Sequence, residues 1–274
     1  MNKEKDQNSY HKINLNWFPG HMAKTRRQIT EDLKMIDVVI ELLDARIPIS
    51  SQNPEIRQII GNNKKVIVLN KSDLADESDN KKWVSKFQQE GNTVVLTDSN
   101  SGRGTQEVVR QVQKIMEEEL NRYAEKGRKG RKIRTMIVGI PNVGKSSFIN
   151  RIANKNSAKI GNKPGVTKDK QWIRVNENIE LLDTPGVLWP KFENETVAFN
   201  LASLTAIKEE VLPIDEVIMY ILRTLKTYYP KILKERYNLD EVDDYFECME
   251  VIGRKRGCLQ KGGIVDDEKV YSVI

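Results

Sequence analysis

The chain has 274 residues, a net charge of +6 and a sequence pI of about 9.1, enough to bury one sizeable core beside a smaller unit, with a basic balance that favours a polyanionic partner such as nucleic acid without specifying one. Two cysteines, Cys248 and Cys258, are too few for a disulfide framework or a zinc cluster. No run is long and apolar enough to span a bilayer and the polar opening MNKEKDQNSYHK lacks a signal segment, so a soluble, cytoplasmic protein is expected.

After polar residues 1–16, an amphipathic helix is expected over 22–35. Ile29, Leu33 and Ile36 mark one face, and Lys24, Arg26, Arg27 and Lys34 the other. Asp37–Leu43 (DVVIELL) and Lys65–Leu69 (KVIVL) are short and β-branched, as buried parallel strands are. A helix at 53–61 between them completes a βαβ unit. Next come a helix near 79–90, a strand at Thr93–Thr97 and a helix at 105–123 that aligns Val108, Val112, Ile115 and Met116. Lys126–Arg134 (KGRKGRKIR) reads as a basic surface linker. A strand at Ile133–Gly139 then enters a glycine-containing turn and a helix from about 145, and Lys170–Val175 and Ile179–Leu182 form a hairpin around Asn176–Asn178. From about 200 the texture is helical, with helices at 199–209, 213–228 and 241–251. The expected organisation is an α/β domain over 1–200, with a mostly parallel sheet, helices on both faces and one antiparallel edge strand, and a small all-helical domain over 201–274.

The most specific motif is Gly139-Ile-Pro-Asn-Val-Gly144-Lys145-Ser146, which has the spacing of a phosphate-binding loop between a strand and a helix. Its glycines let backbone N–H groups curl around a β-phosphate, and the helix N-terminus adds positive potential. Asn142, Val143, Gly144, Lys145, Ser146 and Ser147 form the expected cradle. Lys145 is placed to reach β- and γ-phosphates, and the Ser146 hydroxyl to ligate Mg²⁺. Asn70-Lys71-Ser72-Asp73 follows KVIVL directly. The Asp73 carboxylate suits the two donors of a guanine edge and would repel the N1 acceptor of adenine. Asn70 would contact the purine or tie this loop to the phosphate loop, and the Lys71 stem would cover the ring face. Asp183-Thr-Pro-Gly186 would hold Mg²⁺ through Asp183 and meet the γ-phosphate with the Gly186 N–H. Thr167, in PGVTK, is placed as the Mg²⁺-sensing threonine. Ser99, in TDSNSGRG, would back the guanine O6 with its backbone N–H, and Asp98 beside it is a further expected nucleotide-site residue. Taken singly, Asn70–Asp73 and Asp183–Gly186 are also ordinary turns, and a loop threonine is common. Their joint occurrence with the phosphate loop carries the reading.

These motifs resemble those of GTPases, in a permuted order: the guanine motif and the serine loop precede the phosphate loop, Thr167 and Asp183–Gly186. Together with WFPGHMAK (17–24) and DARIP (44–48), they resemble the bacterial ribosome biogenesis GTPase A family, well over 17–200 and more loosely beyond. The resemblance implies a circularly permuted GTPase domain and a GTP-hydrolysing factor acting in late maturation of the large ribosomal subunit, with nucleotide state coupled to subunit binding. The implied partners are that subunit and its rRNA, with no membrane and no DNA. The implied cofactors are GTP or GDP, Mg²⁺ and K⁺, with Asn142 the K⁺ ligand; chosen for turn geometry alone, Asn142 would need no ion. Family members usually run on past Ile274, which bears on ribosome docking.

Val187 stands where many GTPases carry a water-orienting glutamine. The resemblance makes His21 the catalytic candidate in its place; the plainer alternative is a helix-packing histidine. Hydrolysis is then expected to be slow alone and stimulated by the subunit. Lys24/Arg26/Arg27, Arg128–Arg134 and Arg254/Lys255/Arg256 with Lys261 are candidate RNA contacts or simply solvated faces. A scaffold that keeps GTP as a structural ligand, and a GTPase acting on tRNA or membranes, are the competing readings.

Overall fold

The β-branched runs condense into one six-stranded sheet: β1 (Val38–Asp44), β2 (Lys65–Asn70), β3 (Thr93–Leu96), β4 (Ile133–Val138), β5 (Gln171–Arg174) and β6 (Ile179–Asp183), in the spatial order β3-β2-β1-β4-β6-β5. The computed structural model describes residues 20–127, 130–153, 171–192, 194–239 and 244–274, with the side chains of His21 and Gln171 outside the description. Every neighbouring pair is parallel except β5–β6, the antiparallel edge. All seven residues of β1 are buried, which explains its continuous apolar run: a central parallel strand is covered on both faces.

Parallel pairing requires helical crossovers. Helix α1 (Gly20–Asp32) enters β1. Helix α2 (Pro54–Ile60) starts where the Asn53 side chain accepts from the Glu55 and Ile56 amides, with proline at a position that has no N–H to lose. Helix α3 (Glu77–Gln89) is capped by Asp76 and packs on β3, and α4 (Thr105–Glu125) packs on β2 and β3 through buried Val108, Val112 and Met116. Helix α5 (Lys145–Ile152) follows the phosphate loop and α6 (Glu195–Ser203) follows the Asp183–Gly186 motif.

The chain divides into two compact units that part between Lys208 and Glu209. The boundary expected at 200 falls inside α6, whose Ala198, Phe199, Leu201 and Ala202 are buried. Asn200 of α6 donates to the Ser50 hydroxyl at 2.9 Å, so this helix belongs to the α/β unit. It begins earlier than expected, at an Asn194 cap, and ends at Ser203 because Thr205 turns left-handed, at φ +56°.

The second unit holds α7 (Ile214–Tyr228), α8 (Pro230–Tyr237), α9 (Tyr245–Arg256) and α10 (Asp267–Val273) around Ile218, Leu222, Leu233, Tyr237, Met249, Ile252 and Val270. Helix α8 is absent from the sequence expectations: a two-turn helix offers little periodicity, and Pro230 reads as a breaker where it is a first-turn residue. The helix expected at 241–251 is α9, ending where Gly257 takes a left-handed cap. Among the described residues no helix is long and apolar enough to cross a membrane.

Candidate nucleotide-binding site

The described motifs converge because each follows the carboxyl end of a parallel strand, where an open α/β sheet leaves its ligand crevice. Asn70 is the hub. It is 1% exposed; its Nδ2 donates to the Val143 carbonyl at 2.9 Å, and its Oδ1 accepts from Thr97 Oγ1 at 3.0 Å, Ser99 N at 3.2 Å and Ser99 Oγ at 2.7 Å. Of the two roles open to Asn70, tying the guanine loop to the phosphate loop is the one observed. The tie is tight enough to demand glycine at 144: that residue has φ +99°, and a Cβ there would stand 2.4 Å from Asn70 Nδ2.

Lys71, left-handed at φ +59°, donates to the Asn142 carbonyl at 2.7 Å and lies 3.1 Å from Asp44 Oδ2. Burial alone would raise the Asp44 pKa. The Arg46 guanidinium at 2.9 and 2.8 Å, with Lys71 beside it, outweighs burial and holds the carboxyl below its ordinary value. Sequence reasoning gave Asp44 and Arg46 no role; the available signal was a charged pair, two residues apart, closing an apolar strand. Asp73 stands exposed in a single 3₁₀ turn, Ser72–Leu74, its carboxylate directed at no partner among the described residues, while Ser72 Oγ accepts from Arg103 at 3.3 Å. Asp98 is held below its ordinary pKa by hydrogen bonds from Ser101 and the Asn100 amide. Arg151 of α5 donates to the Ser99 and Asn100 carbonyls, so the serine loop is fixed from both sides.

Lys145 is buried and donates to the Gly139 and Ile140 carbonyls at 3.0 and 2.9 Å. Burial pulls its pKa down to about 8, partly offset by Asp183. Burial likewise raises Asp183 to about 6, offset by Lys145 and the Thr184 amide. Asp183 Oδ1 is buried without a hydrogen-bond partner among the described residues. An orphaned carboxylate oxygen, with the Ser146 hydroxyl on the first turn of α5, is a hard oxygen donor set that fits Mg²⁺ completed by phosphate and water. Ser146 and Ser147 are half-buried there. A Cβ on Gly186 would stand 2.8 Å from the Pro141 backbone and 3.0 Å from Lys145 Nζ, so the Asp183–Gly186 turn closes directly on the phosphate loop. Asn142, at φ +57°, donates through Nδ2 to the Thr205 carbonyl at 2.6 Å and hydroxyl at 3.1 Å. Val187 is 4% exposed, and its apolar side chain offers water no hydrogen bond. Thr167 and the side chain of His21 lie outside the described residues.

Of the basic groups, Arg26 pairs with Glu55, Arg131 with Asp37, Lys132 with Glu180 and Arg254 with Glu250. Lys255 and Lys261 are exposed.

Residues 134–245 match the family model described as 50S ribosome-binding GTPase. The chain is 48% identical to ribosome biogenesis GTPase A of Bacillus cereus over 95% of its own length and 88% of that protein's, and 49% identical to that of Priestia megaterium over 96% and 92%. The crystal structure of GNP-bound YlqF from T. maritima superposes with a TM-score of 0.64 at 27% identity, covering 91% of each chain. The GDP-bound YlqF structure gives 0.63 at 28%, covering 90% of this chain and 91% of that one. With the phosphate loop, the guanine motif and the Asp183–Gly186 turn held in one crevice, and relatives near half identity over almost the whole chain, the chain belongs to the ribosome biogenesis GTPase A family.

Proposed function

We propose that this GTPase acts in late assembly of the large ribosomal subunit and that its nucleotide state sets its affinity for that subunit and its rRNA. The observation that carries the nucleotide half is the Asn70 hub, which preassembles the phosphate loop, the guanine loop and the serine loop into one cradle. The names of the relatives support the ribosomal half, and a cytoplasmic location goes with it.

In this reading the motif order is that of a circularly permuted GTPase domain that runs to Lys208 and includes α6, and the chain continues from it into the helical unit at 209–274. Asp73 reads the guanine edge from its exposed turn, Asn70 and Ser99 frame the base site, and Asp98 keeps the serine loop in shape. The Lys145 ammonium exchanges its two loop carbonyls for β- and γ-phosphate oxygens, and Val143, Gly144, Ser146 and Ser147 supply backbone donors. Ser146, Asp183 and Thr167 would hold Mg²⁺, which would neutralise phosphate charge. Asn142 contributes to a K⁺ site beside the phosphates. Because Val187 cannot hold water, His21 orders the attacking water when the subunit docks the segment that carries it.

Cosedimentation with 50S subunits in GDP and in a non-hydrolysable GTP analogue, paired with turnover with and without subunits, tests the proposal. Tighter association in one nucleotide state and stimulated turnover are expected, with His21→Ala losing the stimulation and keeping GTP affinity. Equal association in both states and unstimulated turnover would refute it.

A further inference from the structure

Val187 cannot act through its side chain, yet its backbone is tethered at both ends. Its N–H donates to the Gly139 carbonyl, at the start of the phosphate loop, at 3.3 Å. Its carbonyl accepts from Asn53 Nδ2 at 3.0 Å, across 134 positions of sequence. Asn53 is 5% exposed, and its Oδ1 is committed to capping α2 through the Glu55 and Ile56 amides at 3.0 and 3.2 Å. An amide that caps with its oxygen has only its nitrogen left to give, so the orientation of the group is set by both ends of the network.

The loop between β1 and α2 is cross-tied to its surroundings. The Asp44 amide donates to Ser51 Oγ at 3.1 Å, Ser50 Oγ accepts from Asn200 of α6, and the Asp44 carboxylate carries Arg46 and Lys71. The loop is therefore a strut running from Lys71 of the guanine motif, through Asp44 and Ser51, to Asn53 and the residue after Gly186.

We infer that Asn53 is a positioning residue for hydrolysis: its side-chain amide holds the Val187 carbonyl, two peptide units on from the Gly186 N–H, so that this turn presents the Gly186 N–H to the γ-phosphate in register with the guanine site. This rests on the reading of Gly186 as a γ-phosphate contact. It predicts an effect on turnover and on binding of the triphosphate, with GDP binding spared, because GDP lacks the phosphate that Gly186 would meet.

Asn53→Asp and Asn53→Ser separate this role from helix capping. Both replacements cap well; the first turns a carboxylate on the Val187 carbonyl, and the second replaces the amide donor with a shorter hydroxyl without adding charge. Both are expected to lower kcat for GTP about tenfold, a barrier change of about 1.4 kcal/mol, with GDP affinity within about twofold of the parent, since the cradle around Asn70 is untouched. Retained kcat in both variants, or a loss of kcat matched by an equal loss of GDP affinity, would overturn the inference. Gly186→Ala in parallel keeps the two readings apart: if it leaves binding of the GTP analogue unchanged, the γ-phosphate reading of Gly186 has failed independently of Asn53.

Discussion

The side-chain amide of Asn142 in the phosphate loop donates to both the carbonyl and the hydroxyl of Thr205, two residues past the end of α6. Thr205 sits at φ +56°, a left-handed backbone that β-branched residues avoid. The bonds Thr205 N to Ala202 O and Ala206 N to Leu201 O, both 2.9 Å, are those of a Schellman cap, whose left-handed position is normally glycine. Asn142 thus holds the exit of α6 in a conformation its own sequence disfavours.

Thr205→Gly should relieve that backbone while keeping the carbonyl that Asn142 engages, raising the stability of the nucleotide-free protein by roughly 1 kcal/mol. Asn142→Ala should lower it by a similar amount. Urea unfolding of both variants checks the pair; a destabilised Thr205→Gly would mean that the hydroxyl contact outweighs the strain.

Asp73 stands exposed, with no partner among the described residues. Asp73→Asn should weaken GDP binding by about a hundredfold, the loss of two charge-assisted hydrogen bonds, and should let xanthosine diphosphate compete. Titration of both nucleotides against parent and variant reads this out. Equal GDP affinity before and after would remove Asp73 as the base reader.

Lys145 is held by two loop carbonyls, and burial already depresses its pKa. Lys145→Ala should therefore leave the fold intact by circular dichroism while reducing affinity for a GTP analogue at least tenfold. Ser146→Ala should chiefly weaken the Mg²⁺ dependence of that binding. Analogue binding measured with Mg²⁺ and with chelator distinguishes the two; unchanged affinity in both variants would contradict the phosphate-loop assignment.

Glu41 lies in the centre of β1, 3% exposed, with Oε2 lacking a hydrogen bond and with Arg57 and Lys65 at 3.9 and 4.0 Å. Burial raises its pKa above 4.5, against the opposing pull of Lys65 and Arg57. The folded state then keeps its proton to a higher pH than the unfolded state does. Stability accordingly falls as pH rises from the unfolded value through the raised native one. Glu41→Gln should abolish this fall and be at least as stable as the parent at neutral pH, because the amide needs no charge compensation. Denaturant midpoints between pH 4 and 7 test this; parallel pH profiles for parent and variant would show that folding leaves the Glu41 pKa unshifted.

The strands, most helices and the described nucleotide motifs are legible in the chain because each depends on neighbours a few positions apart. β-branched runs mark buried parallel strands, and the spacing Gly139–Ser146 is itself the geometry of a phosphate cradle. What tertiary structure decided depends on residues distant in sequence. Asn70 carried two candidate roles until folding brought Val143 and Ser99 to opposite ends of its amide. Asp44, Arg46 and Asn53 look like loop residues until β1 and β6 place them between the guanine loop and Val187. The end of α6 was misjudged because its left-handed stop is a threonine sustained by Asn142, 63 positions earlier, where local rules call for glycine. A backbone preference acts over one turn, whereas a buried hydrogen bond acts wherever the fold delivers its partner.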